Sequence, residues 1–509
     1  MNRYPDPWVR TKRRLKGSRR ALLVTLALTA AALIWGTLRT STALPDTPGQ
    51  VNDITGMNPI TIEHIITPTT LEEIVAAVRQ HPGPVAIGGG RYSMGGQTAT
   101  DNALHIDMRR FNRILDFSPH EKTITVQAGT TWRQILEHID PHNLSPKIMQ
   151  TYANFTVGGS LSVNVHGRYM GLGPLILSVR SIRVVLADGK VVEATPSKNR
   201  DIFYGAIGGY GGLGVIAEAS LDLADNVKIR RSSQVMPIAE YKSYFFQNVR
   251  GSRTALFHNA DIYPNDYSTV NAVTYHTTDD PVTVQERLVP AHDTYRTWHF
   301  LGWVVADWPG GKWARQHVID PLLFSGTSVQ WRNREASYDV AELPASTAAT
   351  AYVLQEYFVP VELVDDFIPK LREVLLRHRV NVINVSMRHA QPDPGSLLAW
   401  ARTEVFAFVL YYQQGTDAPA RAAVEIWTRE LIESALSVGG AYYLPYQPHA
   451  TPEQFLRAYP RACEFLALKR RLDPASKFHN RLLDKYLPAL GGPCKERLAA
   501  KFSISRIRE

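Results

Sequence analysis

Three glycine-rich segments between residues 88 and 214 limit what the amino-terminal half of this chain can fold into. They are GGGRYSMGGQ at residues 88–97, TVGGSLSVNVHG at 156–167 and GGYGGLG at 208–214. Glycine has no Cβ, so a glycine-rich turn exposes backbone N–H groups that phosphate oxygens can approach closely. Taken singly, each segment is also typical of an ordinary tight turn. Three of them in one region favour a binding site for a ligand that contains a diphosphate.

The third segment contains the pattern G-x-G-x-x-G at residues 209–214, which also occurs in Rossmann dinucleotide sites. A Rossmann site requires a helix directly after this pattern, because the helix amino terminus faces the pyrophosphate. Residues 215–221 instead predict a strand. The chain also lacks the lysine pattern of a P-loop, so the sequence favours neither a Rossmann fold nor ATP chemistry.

The composition is that of a globular protein, with 44% hydrophobic and 20% charged residues in a chain of 509. This length predicts two or three domains. The formal net charge is +9, but residues 1–20 alone contain eight basic residues and one acidic residue. The rest of the chain is therefore nearly neutral, which argues against a nucleic-acid partner. The two cysteines, Cys463 and Cys494, are too few for a disulfide scaffold or a cysteine-rich zinc site. No metal site is predicted, and a single disulfide between the cysteines stays open.

The basic residues 1–20 precede eighteen uncharged residues, 21–38. A helix of that length just spans the hydrocarbon core of a bilayer. The basic flank predicts a cytoplasmic tail, with the rest of the chain outside. Residues 18–23 also resemble the twin-arginine export signal, and residues 41–43 form a small-residue cleavage site. We expect either a single-pass anchor in the cytoplasmic membrane, with the catalytic domain on the external (periplasmic) side, or a cleaved export signal.

Short strands alternate with single helices from residue 56 to residue 225, after a linker at 39–55, and predict an α+β domain. The main signals are a capping box at residues 70–73, strands at 84–87, 104–107 and 123–126, a second capped helix at 131–139, a hairpin over 182–194 and a last strand at 215–223. Past residue 226 glycine thins out. A second domain of sheet and helices is predicted there, with strands at 353–359 and 405–412 and helices at 361–377 and 418–435.

Several motifs of this chain occur together in one flavoprotein family. They are Pro68 with residues 70–74 (TLEEI), the segment 88–97, residues 156–159 with His166 and Gly167, and residues 211–216 (GGLGVI). On these motifs, residues 59–223 resemble the PCMH-type FAD-binding domain of the vanillyl-alcohol oxidase family. Residues 472–474 (LDP), 478–480 (FHN) and 484–487 (DKYL) are similar to the carboxyl-terminal signature of its aldonolactone and alditol oxidase branch.

The resemblance implies an α+β fold with three parts behind the amino-terminal transmembrane helix. These are a two-subdomain PCMH-type FAD-binding domain at 56–225, an α/β substrate cap domain at 226–446, and a carboxyl-terminal segment at 447–509 that returns to the flavin. The implied FAD-binding residues are Gly88, Gly89, Gly90, Arg91, Tyr92, Ser93, Gly95, Gly96, Gln97, Thr156, Gly158, Gly159, Ser160, Ser162, His166, Gly167, Gly214, Ile216 and Asn480.

Many members of the family attach FAD covalently through a histidine that precedes the serine of the first glycine segment. This chain has Tyr92 before Ser93. Another habit of the family is a cysteine bond to the flavin, but Cys463 and Cys494 lie too close to the end of the chain for that role. We therefore expect FAD to be bound without a covalent link.

Three residues are predicted to be catalytic: Arg388, His166 and His449. In the alditol oxidase branch a Glu-x-Arg pair on a cap strand orients the substrate, and residues 384–389 match it with Arg388 but with Ser386 in place of the glutamate. His166 resembles a residue beside the flavin, and a core histidine is the alternative. His449 lies in a segment that resembles one returning to the flavin, and a surface loop is the alternative. Glu356 is expected to alternate outward on its strand, and a side chain that points into the site is the alternative.

The sequence therefore predicts an FAD-dependent oxidoreductase that oxidises a CH–OH group of a polyol, sugar lactone or similar alcohol by hydride transfer to flavin. Two alternatives stay open: a flavoenzyme acting on a membrane lipid or sterol-like substrate, and a non-catalytic FAD-binding module. The expected partners are a small-molecule alcohol, the membrane through the amino-terminal helix, and an electron acceptor that is either oxygen or a membrane quinone or cytochrome.

Overall fold

The computed structural model describes residues 47–291, 295–344 and 346–494. The predicted cytoplasmic tail at 1–20 and the predicted transmembrane segment at 21–38 lie outside these residues. Within the described part of the chain, no helix combines the length and the apolar character needed to cross a bilayer.

Nineteen strands form four sheets in the described chain. They are β1 Gln50–Val51, β2 Ile60–Thr61, β3 His64–Ile66, β4 Val85–Gly88, β5 Leu104–Asp107, β6 Ile114–Ser118, β7 Thr123–Gln127, β8 Leu144–Pro146, β9 Val179–Val185, β10 Val191–Ala194, β11 Val215–Asp225, β12 Lys228–Pro237, β13 Ala255–Ile262, β14 Thr269–Thr277, β15 Ser328–Trp331, β16 Thr350–Pro360, β17 Val382–Ala390, β18 Val405–Gly415 and β19 Ala441–Tyr442.

The α-helices of the described chain surround these sheets. They are α1 Leu71–Gln80, α2 Trp132–Ile139, α3 Val157–Val163, α4 Arg200–Ala206, α5 Ile238–Tyr244, α6 Arg296–Asp307, α7 Gly311–Ala314, α8 Asp320–Leu323, α9 Arg332–Ala336, α10 Val364–Arg377, α11 Ala418–Ser437, α12 Pro452–Ala458, α13 Ala462–Leu472 and α14 Arg481–Tyr486. The predicted α+β class is therefore confirmed.

A small parallel sheet, in the order β3-β5-β4, brings the first glycine segment to the carboxyl end of β4. Helix α1 crosses between β3 and β4. The predicted capping box is present, since the Thr70 hydroxyl accepts from the Glu73 N–H and the Glu73 carboxylate accepts from the Thr70 N–H. Its buried face, Ile74 and Val78, packs on Val85 of β4 and Ile106 of β5 in one apolar core.

A second sheet is antiparallel, in the order β10-β9-β11-β7-β6, with β8 added to β11. The predicted hairpin joins β9 to β10, and Gly189 takes a positive φ of 80° in its turn. The third glycine segment lies between α4 and β11. A strand therefore follows it, as the sequence predicts, and the Rossmann arrangement is excluded.

The largest sheet has eight strands, in the order β15-β12-β14-β13-β17-β18-β16-β19. Helices α10 and α11 cover one face of it: Phe367 of α10 packs edge-on against Phe408 of β18, and Trp427 of α11 packs against Tyr412. Alternate residues of a strand point to opposite faces. The other face, with Leu354 and Glu356 of β16, is therefore free to line a cavity.

The carboxyl-terminal residues hold the glycine-rich turns in place. Phe478 forms a parallel bridge with Val85 of β4. The buried ammonium of Lys469 donates to the carbonyl oxygens of Gly212 and Phe478 and to the carboxylate of Asp473. The two cysteines, whose pairing the sequence leaves open, form a Cys463–Cys494 disulfide.

Candidate flavin and substrate site

Two neighbouring cavities meet at the glycine segments. The larger cavity, whose empty space of about 1000 Å³ includes its opening to solvent, lies between the first two segments and the eight-stranded sheet. The smaller one has a volume of about 570 Å³ and lies between the second and third segments. Both are lined by Gly89, Ser93, Thr98, Thr156, Gly159 and Val163. Because they share these residues, one long ligand could extend from one cavity into the other.

The first glycine segment offers backbone donors to the larger cavity. The residues with free donors are Gly90, Tyr92 and Ser93, which all line this cavity. They follow the end of β4, and within the described chain their N–H groups have no hydrogen-bond acceptor. The next N–H groups are used internally: Met94 donates to the Pro445 carbonyl oxygen and Gly95 to the Gln97 side chain. A row of unpaired N–H groups in a glycine turn suits the oxygens of a diphosphate.

The second glycine segment shapes the cavity wall but offers few free hydrogen-bond donors. The N–H groups of Val157 and Gly158 donate to the carbonyl oxygens of Thr130 and Ala128. The Thr156 hydroxyl caps the N–H of Gly159. Ser160 also has no free donor, because its hydroxyl donates to the Gln150 side chain at 2.9 Å. Ser160, one of the predicted cofactor residues, therefore lines the larger cavity with its hydroxyl proton already engaged.

The smaller cavity is mostly apolar. Ile87, Met108, Ala128, Ile216 and Gly214 line it, together with Gln97, Gly158, Ser162, Tyr210 and Gly211. An apolar slot with a few polar groups at its edge suits a planar aromatic ring such as adenine. The two cavities together therefore fit a dinucleotide with its diphosphate at the first glycine segment and one ring system in each cavity.

Five predicted cofactor residues line neither cavity. Gly88, Gly95, Gly96 and Gly167 instead let the loops pack closely: a Cβ on Gly88 would lie 2.6 Å from the His105 ring, and one on Gly95 would lie 2.5 Å from the Tyr446 carbonyl oxygen. Asn480, which is also predicted to bind FAD, has its side chain engaged elsewhere. Its N–H₂ group donates to the Tyr210 carbonyl oxygen, and its Oδ1 caps α14. It orients the third segment and makes no lining contact.

Tyr92, which stands where many relatives attach their flavin, is held away from such chemistry. Its ring stacks on Phe155 with 4.3 Å between centroids, and its hydroxyl accepts from the Asn154 side chain at 2.6 Å. Burial raises the pKa of its phenol to about 12. The disulfide leaves neither cysteine a free thiol, so a cysteine–flavin bond has no donor in this chain.

His166 and Glu356 form a buried pair at the wall of the larger cavity. Nε2 of His166 lies 2.5 Å from Oε1 of Glu356, and Nδ1 lies 3.2 Å from the Gly167 carbonyl oxygen. Both ring nitrogens therefore face acceptors, and one proton is shared between His166 and Glu356 whichever of the two carries it. The rings of Trp400, Phe358 and Tyr443 surround the imidazole.

Glu356 is not on the outer face of its strand, so that expectation is wrong. Its side chain lines the larger cavity, and its Oε2 accepts from the Tyr446 hydroxyl at 3.3 Å. Burial, with the Glu356 carboxylate as a second cause, raises the pKa of Tyr446 well above its usual range. The alternation of β16 is visible in the sequence, but the face turned to the cavity depends on packing between sheets.

Arg388 lines the same cavity from β17, and within the described chain its Nε has no hydrogen-bond partner. Burial lowers the pKa of its guanidinium, and the Glu356 carboxylate opposes that shift. Residues paired across antiparallel strands share a face. Glu356 of β16 pairs with Val409 of β18, which pairs in turn with Ser386 of β17. Glu356 and Ser386 therefore lie in one row of residues across the sheet, two strands or about 10 Å apart. In this row Glu356 provides the carboxylate that Ser386 lacks.

His449 does not line this cavity, which corrects its predicted catalytic role. The segment before it does reach the cavity, since Tyr443, Pro445 and Tyr446 are lining residues. The His449 ring lies apart from them, and burial, together with Lys485 and Arg429, lowers its pKa to about 3. Within the described chain no group of three or more His, Cys, Asp or Glu residues is arranged to hold a metal ion.

Comparisons with known proteins agree with this geometry. Residues 62–195 match the family model described as an FAD binding domain. The chain is 23% identical to L-gulonolactone oxidase from Bos taurus over 431 residues, which cover 83% of this chain and 94% of that protein. It is 22% identical to decaprenylphosphoryl-beta-D-ribose oxidase from Mycolicibacterium smegmatis over 453 residues, covering 82% and 93%.

A third relative matches a smaller part of the chain. Cytokinin dehydrogenase 9 from Oryza sativa is 29% identical over 192 residues, which cover 37% of this chain and 34% of that protein. The two oxidases, in contrast, match most of the chain. With the glycine-lined cavities, these matches support an FAD-linked oxidoreductase in the aldonolactone oxidase-like branch, in which residues 62–195 match an FAD-binding domain.

Proposed function

We propose that this protein oxidises a CH–OH group of a small-molecule alcohol to a carbonyl group, with Arg388 and Glu356 acting on the substrate hydroxyl. The carrying observation is that a buried carboxylate and an arginine whose Nε is unpartnered in the described chain both line the cavity next to the first glycine segment. In this proposal residues 56–225 bind FAD, residues 226–446 form the substrate cap, and the described carboxyl-terminal residues, 447–494, brace the glycine turns.

Oxidation of an alcohol removes a hydride from carbon and a proton from oxygen. When FAD is bound, it supplies the acceptor for the hydride. The chain must then bind the alcohol, stabilise its oxygen as the proton leaves, and take up the proton.

Arg388 is suited to hold the substrate oxygen. An arginine stays charged even when burial lowers its pKa, and its free Nε–H can donate to a hydroxyl or alkoxide oxygen. The low dielectric constant of a buried wall strengthens that interaction as negative charge develops on the oxygen.

Glu356 is suited to take the proton. The proton shared with His166 occupies the Oε1 side of the carboxylate, so Oε2 is the side that can accept from a substrate hydroxyl. Tyr446 already donates to Oε2, and this weak 3.3 Å contact can be exchanged for the substrate. His166 holds the carboxylate in place, and is therefore a positioning residue in this scheme.

The test is anaerobic flavin reduction in the full-length chain carrying Glu356→Gln. An aldonolactone, an alditol and a polyprenylphosphoryl pentose would be mixed with the enzyme while the flavin absorbance is followed. We expect the variant to bind FAD normally and its reduction rate to fall at least about 100-fold, as for loss of a general base.

Glu404→Gln is the matched control. Glu404 also pairs with a histidine, since its Oε1 lies 2.7 Å from Nε2 of His389, but it lines neither cavity. Equal rates in Glu356→Gln and wild-type protein would refute the role of Glu356. A wild-type enzyme whose flavin no alcohol reduces would support a non-catalytic FAD-binding module instead.

A lipid-linked alcohol is a second candidate substrate, favoured by the apolar lining of the larger cavity. Ile54, Met94, Val340, Leu343 and Leu354 line it along with the polar groups. One relative is a decaprenylphosphoryl-ribose oxidase, whose name includes a polyprenyl carrier. If the lipid-linked alcohol reduces the flavin at lower concentration than the aldonolactone and the alditol do, this candidate replaces the sugar-like one.

The location and the electron acceptor belong to the same proposal. Residues 21–38 are uncharged and follow a basic tail, which supports export with a retained anchor or a cleaved signal. The Cys463–Cys494 disulfide is of the kind that persists outside the cytosol. The acceptor is oxygen or a membrane quinone or cytochrome, and Val165 in the cavity wall would favour the second by restricting the access of oxygen to a bound flavin. Stoichiometric peroxide formed rapidly in air would establish oxygen instead.

A further inference from the structure

Exposed apolar side chains concentrate in one stretch of the described chain. Six large ones lie between residues 298 and 323, whereas the others are scattered singly. Five of the six define what we call the Trp308–Leu323 surface. Their exposed fractions are Trp308 53%, Trp313 58%, Val318 45%, Leu322 69% and Leu323 39%. An apolar patch of this kind on a folded protein marks a surface that another body covers.

Four of these side chains, those of Trp313, Val318, Leu322 and Leu323, lie on one uninterrupted run of helical turns. Helix α7 continues through a π-helical turn at Arg315–Ile319 into α8. In such a turn each residue lies above the one about five positions earlier, so Trp313, Val318 and Leu322 share a side. The Trp313 ring stacks on His317 with 4.9 Å between centroids. Trp308 lies in the turn that joins α6 to α7, and the Gly311 N–H donates to its carbonyl oxygen.

The amino-terminal part of the described chain reaches the same end of β18 as this surface. The Gln414 side chain donates to Sδ of Met57 at 3.6 Å. The adjacent Gln413 side chain donates to Oδ1 of Asp307, the residue before Trp308, at 3.2 Å. Adjacent side chains of a strand point to opposite faces, so Met57 and Asp307 contact this end of β18 from opposite sides of the sheet.

The sequence before residue 47 favours a lipid bilayer as the body that covers this surface. Residues 21–38 are uncharged and follow a basic tail, and only residues 39–46 separate them from the described chain. Eight extended residues span at most about 29 Å. Tryptophan is the side chain most typical of the membrane–water interface, because its ring is apolar and its indole N–H is polar.

We propose that the Trp308–Leu323 surface rests on a lipid bilayer, with its tryptophan and leucine side chains in the headgroup region. Helix α6, which leads into this surface, contacts the segment that lines the larger cavity. Nε2 of His299 in α6 lies 2.6 Å from the Ala341 carbonyl oxygen, and the neighbouring Val340 and Leu343 line that cavity. Docking requires no turnover, so its test is independent of the proposed reaction.

The test places a fluorophore on the surface of the full-length protein in liposomes of phosphatidylcholine and phosphatidylglycerol. Both native cysteines are in the disulfide, so Leu322→Cys provides the reactive thiol for an NBD label. Ile426→Cys is the matched control, because Ile426 is 56% exposed on α11. We expect emission shifted to the blue at position 322, with quenching by spin-labelled lipid at least threefold stronger than at position 426.

Two further outcomes would overturn the proposal. Equal quenching at the two positions would show no preferred face towards the lipid. A blue-shifted label at position 322 without lipid quenching would show that a second copy or another segment of this chain covers the surface. Val318→Cys repeats the measurement at a second surface position, and an unchanged flavin absorbance and thermal midpoint verify that each variant folds.

Discussion

At residue 89 the absence of a side chain lets two glycine segments touch. A Cβ there would overlap the hydroxyl of Thr156, and that hydroxyl cannot turn away without releasing the N–H of Gly159 that it caps. Gly89→Ala should therefore separate the segments and weaken FAD binding by at least about tenfold, or about 1.4 kcal/mol. Titration of the apoprotein with FAD measures the effect. Gly251→Ala is the control, since nothing lies within 4 Å of its added Cβ, and equal affinities in both variants would contradict the prediction.

The Tyr92 side chain bears on how the flavin is held. Because its hydroxyl is bound to Asn154 and burial raises its pKa to about 12, it is a poor nucleophile towards a flavin methyl group. We expect acid precipitation of the holoenzyme to leave all of the FAD in the supernatant, as measured by flavin fluorescence. Flavin that stays with the precipitated protein would show a covalent bond. Tyr92→Phe should give the same release as wild-type protein. If flavin stays with the precipitated wild-type protein but is released from Tyr92→Phe, the Tyr92 phenol carries the covalent bond.

Elements with a local signal are predictable from the sequence. The capping boxes at Thr70 and Thr131 begin helices at the expected positions, and the Asp188-Gly189 turn joins β9 to β10. The predicted strands at 353–359 and 405–412 are the cores of β16 and β18. The order of these strands is not predictable, because β16 pairs with β18 and not with its neighbour in the chain, β17. The role of Glu356 depends on that order, since it brings the residue into one row with Ser386.

The carboxyl-terminal elements carry a testable constraint in the disulfide. It joins Cys463 in α13 to Cys494 across a sequence separation of 31. Closing a loop of that length restricts the unfolded chain, so Cys494→Ser should lower the free energy of unfolding by about 3 kcal/mol. Urea denaturation measures this loss. A reducing agent should destabilise the wild-type protein to the same degree and leave the variant unchanged, and a reducing agent without effect on wild-type protein would disprove the bridge.

For the whole molecule, the glycine segments and the carboxyl-terminal motifs are enough to indicate the cofactor and the class of reaction. Most predicted residues of the first segment do line the larger cavity. His449 and Asn480 do not. The residues shortly before His449 reach the cavity although its own side chain does not, and the Asn480 side chain instead caps α14 and donates to the Tyr210 carbonyl oxygen. The His166–Glu356 pair joins residues 190 positions apart. Contacts between distant segments follow from how the sheets pack, and a single sequence carries no local signal for them.

Buried histidines in separate parts of the molecule make its stability depend on pH. Burial lowers the pKa of His105 to about 4 and of His258 to about 3. A histidine whose folded-state pKa is below its unfolded value binds its proton first in the unfolded state. Stability should therefore fall as pH drops from about 6.5 towards these values, by up to about 1.4 kcal/mol per pH unit for each histidine. Well above pH 6.5 both histidines are neutral in the folded and unfolded states, so they should add nothing to the pH dependence of stability.

The effect of one histidine can be isolated by comparing variants. His258 is fully buried, and its ring nitrogens contact Tyr241 and Thr274. His258→Gln should lower stability at pH 7.5 yet flatten its decline between pH 6.5 and 4.5. Asp53 and Asp393 act in the opposite sense because burial raises their pKa values. The reference is His120, whose side chain is exposed. In His120→Gln the free energy of unfolding, measured by urea denaturation, should depend on pH as it does in wild-type protein. Parallel slopes in the two variants would show that His258 takes up its proton without unfolding.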